Sequence, residues 1–137
     1  MQFFAIFVDV KMKIVIDDKI PFIRGVFEPF AEVRYESGAA ISAAQVRDAD
    51  ALAVRTRTLC DRNLLEGSKV KAIASATIGY DHIDTLWCEG AGIAWSNAPG
   101  CNSSSVCQYM MCCLTALERK HSLPLADMTL GVVGAGH

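Results

Sequence analysis

From Met12 onward, short apolar runs alternate with longer stretches in which apolar and polar positions follow a helical period. The runs fall at residues 13–16, 32–35, 51–55, 70–75 and 93–95. They are rich in Val, Ile and Ala, as strands buried on both faces of a parallel sheet are. The intervening stretches predict helices near residues 23–30, 42–49, 61–66 and 82–90. Ser42 with Gln45 three residues later forms a capping-box pattern, and Gly67 and Gly90 or Gly92 stand where helices end. Strands alternating with helices predict an α/β fold, a doubly wound parallel sheet of flavodoxin-like type. Ligands of such sheets sit beyond the carboxyl ends of the strands. The loops to inspect are therefore DDKIP, RTRT, ATIGYDH and NAPGCNSSS.

The pattern changes after Asn97-Ala98-Pro99-Gly100. Residues 103–120 read as one long, apolar-rich helix, with Glu118-Arg119-Lys120 at its end. Pro124 separates it from a β-branched run at residues 130–133, expected to be a strand. Gly134-Ala135-Gly136 then begins a G-x-G-x-x-G turn whose third glycine would fall at position 139, beyond the last residue. A boundary is expected at about residues 99–104. The expected division is a probable extension at 1–11, a substrate domain at 12–100, and the start of a truncated Rossmann domain at 101–137.

Composition narrows the function. A chain of 137 residues that is 52% hydrophobic can build one real core. A net charge of −2 with no basic block gives no electrostatic basis for binding nucleic acid. The opening MQFFAIFVDVK carries Asp9, lacks a basic start and is too short to span a bilayer, so no membrane partner is expected and the protein reads as cytoplasmic. The six cysteines contain no C-x-x-C pair, and Cys107, Cys112 and Cys113 lie in the long helix with no histidine at ligand spacing. Free thiols are expected, and no metal site.

Four groups of residues bear on chemistry. Arg55, Thr56, Arg57 and Thr58 follow a strand and suit either a carboxylate or phosphate ligand or a solvated loop. In SATIGYDHID, Gly79 lets the backbone approach a ligand and the neighbouring amides can form an anion-binding nest. Asp81 is expected to cap the next helix, and His82 to be a hydrogen-bonded structural residue rather than a base, since no Ser or Cys nucleophile follows it in matching order. Cys101 stands near a helix start but has no base nearby. Asp17-Asp18 would suit a phospho-acceptor signalling domain, yet Arg55-Thr56 stand where its acceptor Asp would be, and Asp50 lies at the other end of the sheet.

The segments IDDKIPFIRGVFEPFAEVRY, DADALAVRTRT, ATIGYDHIDT and NAPGCNSSSV, with LGVVGAG, resemble the D-isomer-specific 2-hydroxyacid dehydrogenases. The resemblance runs from residue 12 to the last residue. It is strongest to members that oxidise 4-phospho-D-erythronate to the 2-oxo acid, by hydride transfer to NAD, on the route to pyridoxal 5′-phosphate. Another 2-hydroxyacid dehydrogenase, such as one acting on 3-phosphoglycerate, is the alternative. The resemblance implies a flavodoxin-like substrate domain, an inserted Rossmann domain and a homodimer, with a phosphorylated hydroxy acid as substrate. It places substrate contacts on Thr56 and Thr77, the substrate carboxylate on the Ile78 and Gly79 amides, and the NAD pyrophosphate over Gly134 and Gly136. The family's catalytic Arg, Glu and His lie beyond residue 137, so the chain is expected to be the front part of a longer enzyme and inactive alone. Val106-Cys107-Gln108 stands where relatives often have Val-Ala-Glu, which argues against a carboxylate role there.

Overall fold

The computed structural model describes residues 11–134, and Gly136 of the expected NAD turn lies outside them. Five strands form one parallel sheet: β1 (Met12–Asp17), β2 (Ala31–Glu36), β3 (Ala51–Val54), β4 (Ala72–Ser75) and β5 (Ala94–Ser96). Their order in space is β2-β1-β3-β4-β5, the flavodoxin-like order. The chain divides into two compact units between Ala98 and Pro99.

Side-chain alternation splits the core of the first unit into two layers. Val15, Leu52, Val54 and Ile73 point to one face, where they pack with Val46, Leu64, Leu65 and Cys88 from α1 (Ala43–Val46), α2 (Arg62–Leu65) and α3 (Thr85–Gly90). Ile14, Ile16 and Ala53 point to the other, under Ile20, Ile23 and Phe27. That second cover ends over β1–β3. Ala72, Ala74, Ala94 and Ser96 on β4 and β5 are exposed, and an apolar groove of about 360 Å³ runs along them.

The three helices are too short to stand alone and depend on this packing and on their caps. The Gln45 side chain accepts from Ser42 N at 2.8 Å, the reciprocal half of the expected capping box. Asp61 accepts from Leu64 N at 3.0 Å. The fourth predicted helix begins later than expected. Asp84, rather than Asp81, caps it by accepting from Trp87 N at 3.0 Å, because residues 82–84 are held extended by their bridge to Cys60.

Two expected elements do not form. Residues 23–30 are a succession of turns, with Gly25 at φ +86° and Phe22 at φ +58°. Pro29 would set its ring against the carbonyl of residue 25 in any helix spanning both. Residues 130–133 pair with no strand among the described residues. A lone strand with Gly131 inside it has no ladder to hold it.

In the second unit α4 (Ser103–His121) is one continuous helix, closed by Ser122 in the left-handed region at φ +52°. Leu114 and Leu117 line an apolar groove with Leu123, Leu125, Met128 and Leu130, and Tyr109, Met110, Met111 and Leu117 are exposed. No helix among the described residues is long and apolar enough to cross a membrane.

Candidate active site

The site follows from the register of two central strands. In β3 and β4, Val54 pairs with Ser75, and Ala76 N donates to Val54 O at 2.9 Å. Thr56 and Thr77 each lie two residues beyond that paired position, so both expected substrate loops leave the same end of the sheet side by side. A short bridge then stitches them together: Cys60 N donates to His82 O at 2.7 Å and Asp84 N to Cys60 O at 3.0 Å. Buried beneath the bridge, the Cys60 thiol is pushed up to about 12 by desolvation first, with Cys88 and Asp61 adding to it. Cys60 is therefore an inert packing residue.

The residues on RTRT divide by direction. Thr56 and Arg57 are exposed, while Thr58 turns inward and its Oγ1 donates to Gly38 O at 2.9 Å. Arg55 Nη1 donates to Lys19 O at 3.2 Å, tying the loop after β1 to the loop after β3. Gly38 is required by close approach, since a Cβ there would collide with the Asp17 carboxylate. Asp17 itself is buried and accepts from Lys19 N at 2.9 Å, so it shapes a turn.

The loop Thr77-Ile78-Gly79 has its three carbonyls occupied from within the protein. Ala98 N donates to Thr77 O at 3.0 Å, Asn97 Nδ2 to Ile78 O at 2.7 Å, and Thr77 Oγ1 to Gly79 O at 3.0 Å. The amides of Ile78 and Gly79 donate to no acceptor among the described residues. A Cβ at Gly79 would meet nothing within 4 Å, so open space lies over the backbone there. The loop thus withdraws its acceptors and presents donors, as an anion-binding nest does. Tyr80 flanks it, its ring 5.1 Å from that of Trp95.

His82 was expected in a helix's first turn. It instead precedes α3, buried, with Nε2 2.9 Å from Ser75 Oγ. Ser75 Oγ is in turn 2.8 Å from Thr77 Oγ1. Burial lowers the His82 pKa below its ordinary value, against a smaller upward pull from the Asp81 charge. Ser75, Gly38 and Asn97 were not singled out from the sequence. A serine ending the inward face of an otherwise apolar Ala-Ile-Ala-Ser strand is the signal that could have found the first.

Gly134 stands at φ +84°, a conformation glycine favours, with nothing within 4 Å of where a Cβ would be. Asp17 and Asp18 stand together after β1, but no group of three or more metal-ligating side chains occurs among the described residues. All six cysteines are free.

Residues 13–129 match the family model described as D-isomer specific 2-hydroxyacid dehydrogenase, catalytic domain. The chain is 55% identical over 127 residues to erythronate-4-phosphate dehydrogenase of Bacteroides fragilis, covering 92% of this chain and 36% of that protein. It is 43% identical over 126 residues to the enzyme of the same name from Porphyromonas gingivalis, covering 92% and 34%. It therefore spans about a third of the length of these curated relatives. Among solved structures, NAD⁺-bound 3-phosphoglycerate dehydrogenase of Entamoeba histolytica superposes with a TM-score of 0.60 at 31% identity, over 74% of this chain and 38% of that one. The pyruvate reductase of Chlamydomonas reinhardtii shares the fold, with a TM-score of 0.66 at 18% identity over 91% and 42%. With its sheet order and these matches, the chain belongs to the D-isomer specific 2-hydroxyacid dehydrogenase family, through that family's catalytic domain.

Proposed function

We propose that residues 12–98 are the substrate-binding part of an NAD-dependent dehydrogenase that oxidises 4-phospho-D-erythronate to its 2-oxo acid, a step towards pyridoxal 5′-phosphate. The carrying observation is the Thr77–Gly79 loop, whose three carbonyls are engaged internally while the Ile78 and Gly79 amides are left to donate. Two donors with open space above Gly79 suit a substrate carboxylate. Thr56, exposed on the neighbouring loop between Arg55 and Arg57, adds a hydroxyl in a cationic setting suited to an anionic substrate. Thr77 contributes from below, because its own hydroxyl proton is given to Gly79 O.

The second unit would begin the NAD-binding domain, with Gly134, and Gly136 outside the described residues, beneath the pyrophosphate. The left-handed Gly134 and the room around it fit such a turn. NAD, when bound, supplies the hydride acceptor, while the residues described above bind and orient the hydroxy acid. A homodimer in the cytoplasm completes the proposal, the expected assembly and location of an enzyme of this kind.

The identity of 55% to an erythronate-4-phosphate dehydrogenase favours that substrate over 3-phosphoglycerate, the alternative that the Entamoeba structure keeps in view. A chimera decides between them. Residues 12–134 replace the matching part of the Bacteroides fragilis enzyme, and NADH formation is followed with both acids. Turnover of 4-phospho-D-erythronate is expected, with little on 3-phosphoglycerate, and the reverse preference overturns the assignment. The 137-residue chain assayed alone is expected to form no NADH, since the resemblance assigns it no acid/base pair.

A further inference from the structure

The hydroxyl and imidazole chain beneath the donor loop has a direction that its geometry fixes. Gly79 O is a carbonyl and can only accept, so the single hydroxyl proton of Thr77 is spent on it, at 3.0 Å. Thr77 Oγ1 must then accept across the 2.8 Å contact with Ser75, so the Ser75 proton points to Thr77. Ser75 Oγ, its own proton spent, must accept across the 2.9 Å contact with His82 Nε2. The order is His82 Nε2–H to Ser75, Ser75 to Thr77, Thr77 to Gly79 O. Each link requires the one before it.

We propose that His82 is a positioning residue for the anion-binding loop, acting as the Nε2–H tautomer through Ser75 and Thr77. The relay crosses from the inner face of β4 to the far side of the loop, seven residues on. By holding Gly79 O inward it orients the Gly79–Tyr80 peptide, so that the Tyr80 amide, which donates to no acceptor among the described residues, turns outward beside those of Ile78 and Gly79. The Ile78 and Gly79 amides share their peptides with Thr77 O and Ile78 O, which Ala98 N and Asn97 Nδ2 hold from the β5 side, so the relay is the remaining anchor of the loop. His82 moves no proton to or from substrate. Its backbone carbonyl is fixed independently by Cys60 N. The role of the amides rests on the substrate reading given above, whereas the direction of the relay does not.

Two measurements on the 137-residue chain test it. Nitrogen-15 spectra of labelled histidine identify which ring nitrogen of His82 carries the proton. The proposal requires Nε2–H, and an Nδ1–H tautomer at neutral pH overturns it regardless of any ligand. The second follows the Ile78, Gly79 and Tyr80 amide resonances, Tyr80 above all, as 4-phospho-D-erythronate is added, with inorganic phosphate as the control. Ser75→Ala and His82→Leu should weaken the response by about tenfold, the loss of roughly one hydrogen bond's positioning. His82→Gln, which keeps a donor at the Nε2 end, should restore it, and His82→Asn, which is too short, should not. Circular dichroism identifies any variant that fails to fold, and the tautomer in the unaltered chain still decides. Equal responses in all variants overturn the proposal. No response in the unaltered chain, with Nε2–H observed, overturns the substrate reading and leaves the relay standing.

Discussion

Gly38 and Asp17 are set by the same few ångströms of space. Gly38 has ordinary backbone angles, yet an added methyl would fall on the buried Asp17 carboxylate, which Lys19 N holds in place. Gly38→Ala is therefore expected to destabilise the fold by about 1–3 kcal/mol, as overpacking does. Urea denaturation measures it, and an unchanged midpoint would show that Asp17 swings aside at no cost. His82 offers a second test at this scale. Its folded pKa lies below the ordinary value, so the unfolded chain binds the proton more readily. Stability is then fully present above the ordinary histidine value of about 6.5 and is lost as pH falls from there towards the depressed folded pKa. Denaturation midpoints between neutral pH and pH about 5 should fall for the native chain and fall less for His82→Gln. Equal slopes would count against burial of a neutral imidazole. That His82 is a hydrogen-bonded structural residue was legible beforehand, but its partner was not. Histidine in a DHID string reads equally as a helix-turn residue, and only the parallel pairing of Val54 with Ser75 brings its partner underneath.

At the scale of elements, the strands were more legible than the helices. A buried parallel strand is written as a short apolar run, and all five appear within a residue or two of their expected places. Helices of four to six residues carry little period of their own. Their limits are set by caps, and a cap depends on which of several nearby acids is free. Asp81 and Asp84 both precede α3, and the bridge to Cys60 decides for Asp84. Asp84→Ala is accordingly expected to cost about 1 kcal/mol, while Asp81→Ala stays within a few tenths. Thermal melts of the two variants compare them directly, and equal losses would return the cap to Asp81. The stretch 23–30 misled for a related reason. Its apolar spacing suits a helix, but Gly25 and Pro29 stand one turn apart and stop it. What remains is a loop with its own polar anchor: Tyr35 Oη donates to Glu28 at 2.7 Å, and that bond leads the effects holding the Glu28 pKa at about 2.

For the molecule as a whole, the sheet order and the placement of the RTRT and Thr77–Gly79 loops at its carboxyl edge followed from β/α alternation, because strand order and ligand side are coupled in such sheets. The Thr77–Gly79 loop was placed correctly at that edge, but its donor character came from three separate carbonyl partners, two of them about twenty residues away. The half-covered sheet has a thermodynamic consequence. Apolar surface that is already wet in the native state adds nothing to the heat capacity gained on unfolding. Ala72, Ala74, Ala94 and the groove along them belong to that surface, as do Tyr109, Met110 and Met111 on α4. Calorimetry of the 137-residue chain should give a heat-capacity increment below the usual range of about 12–15 cal/mol/K per residue. A value inside that range would mean the face is dry in solution. With a small increment the stability curve is broad and shallow, so the chain should lose little stability on cooling and tolerate low temperature better than its modest core implies.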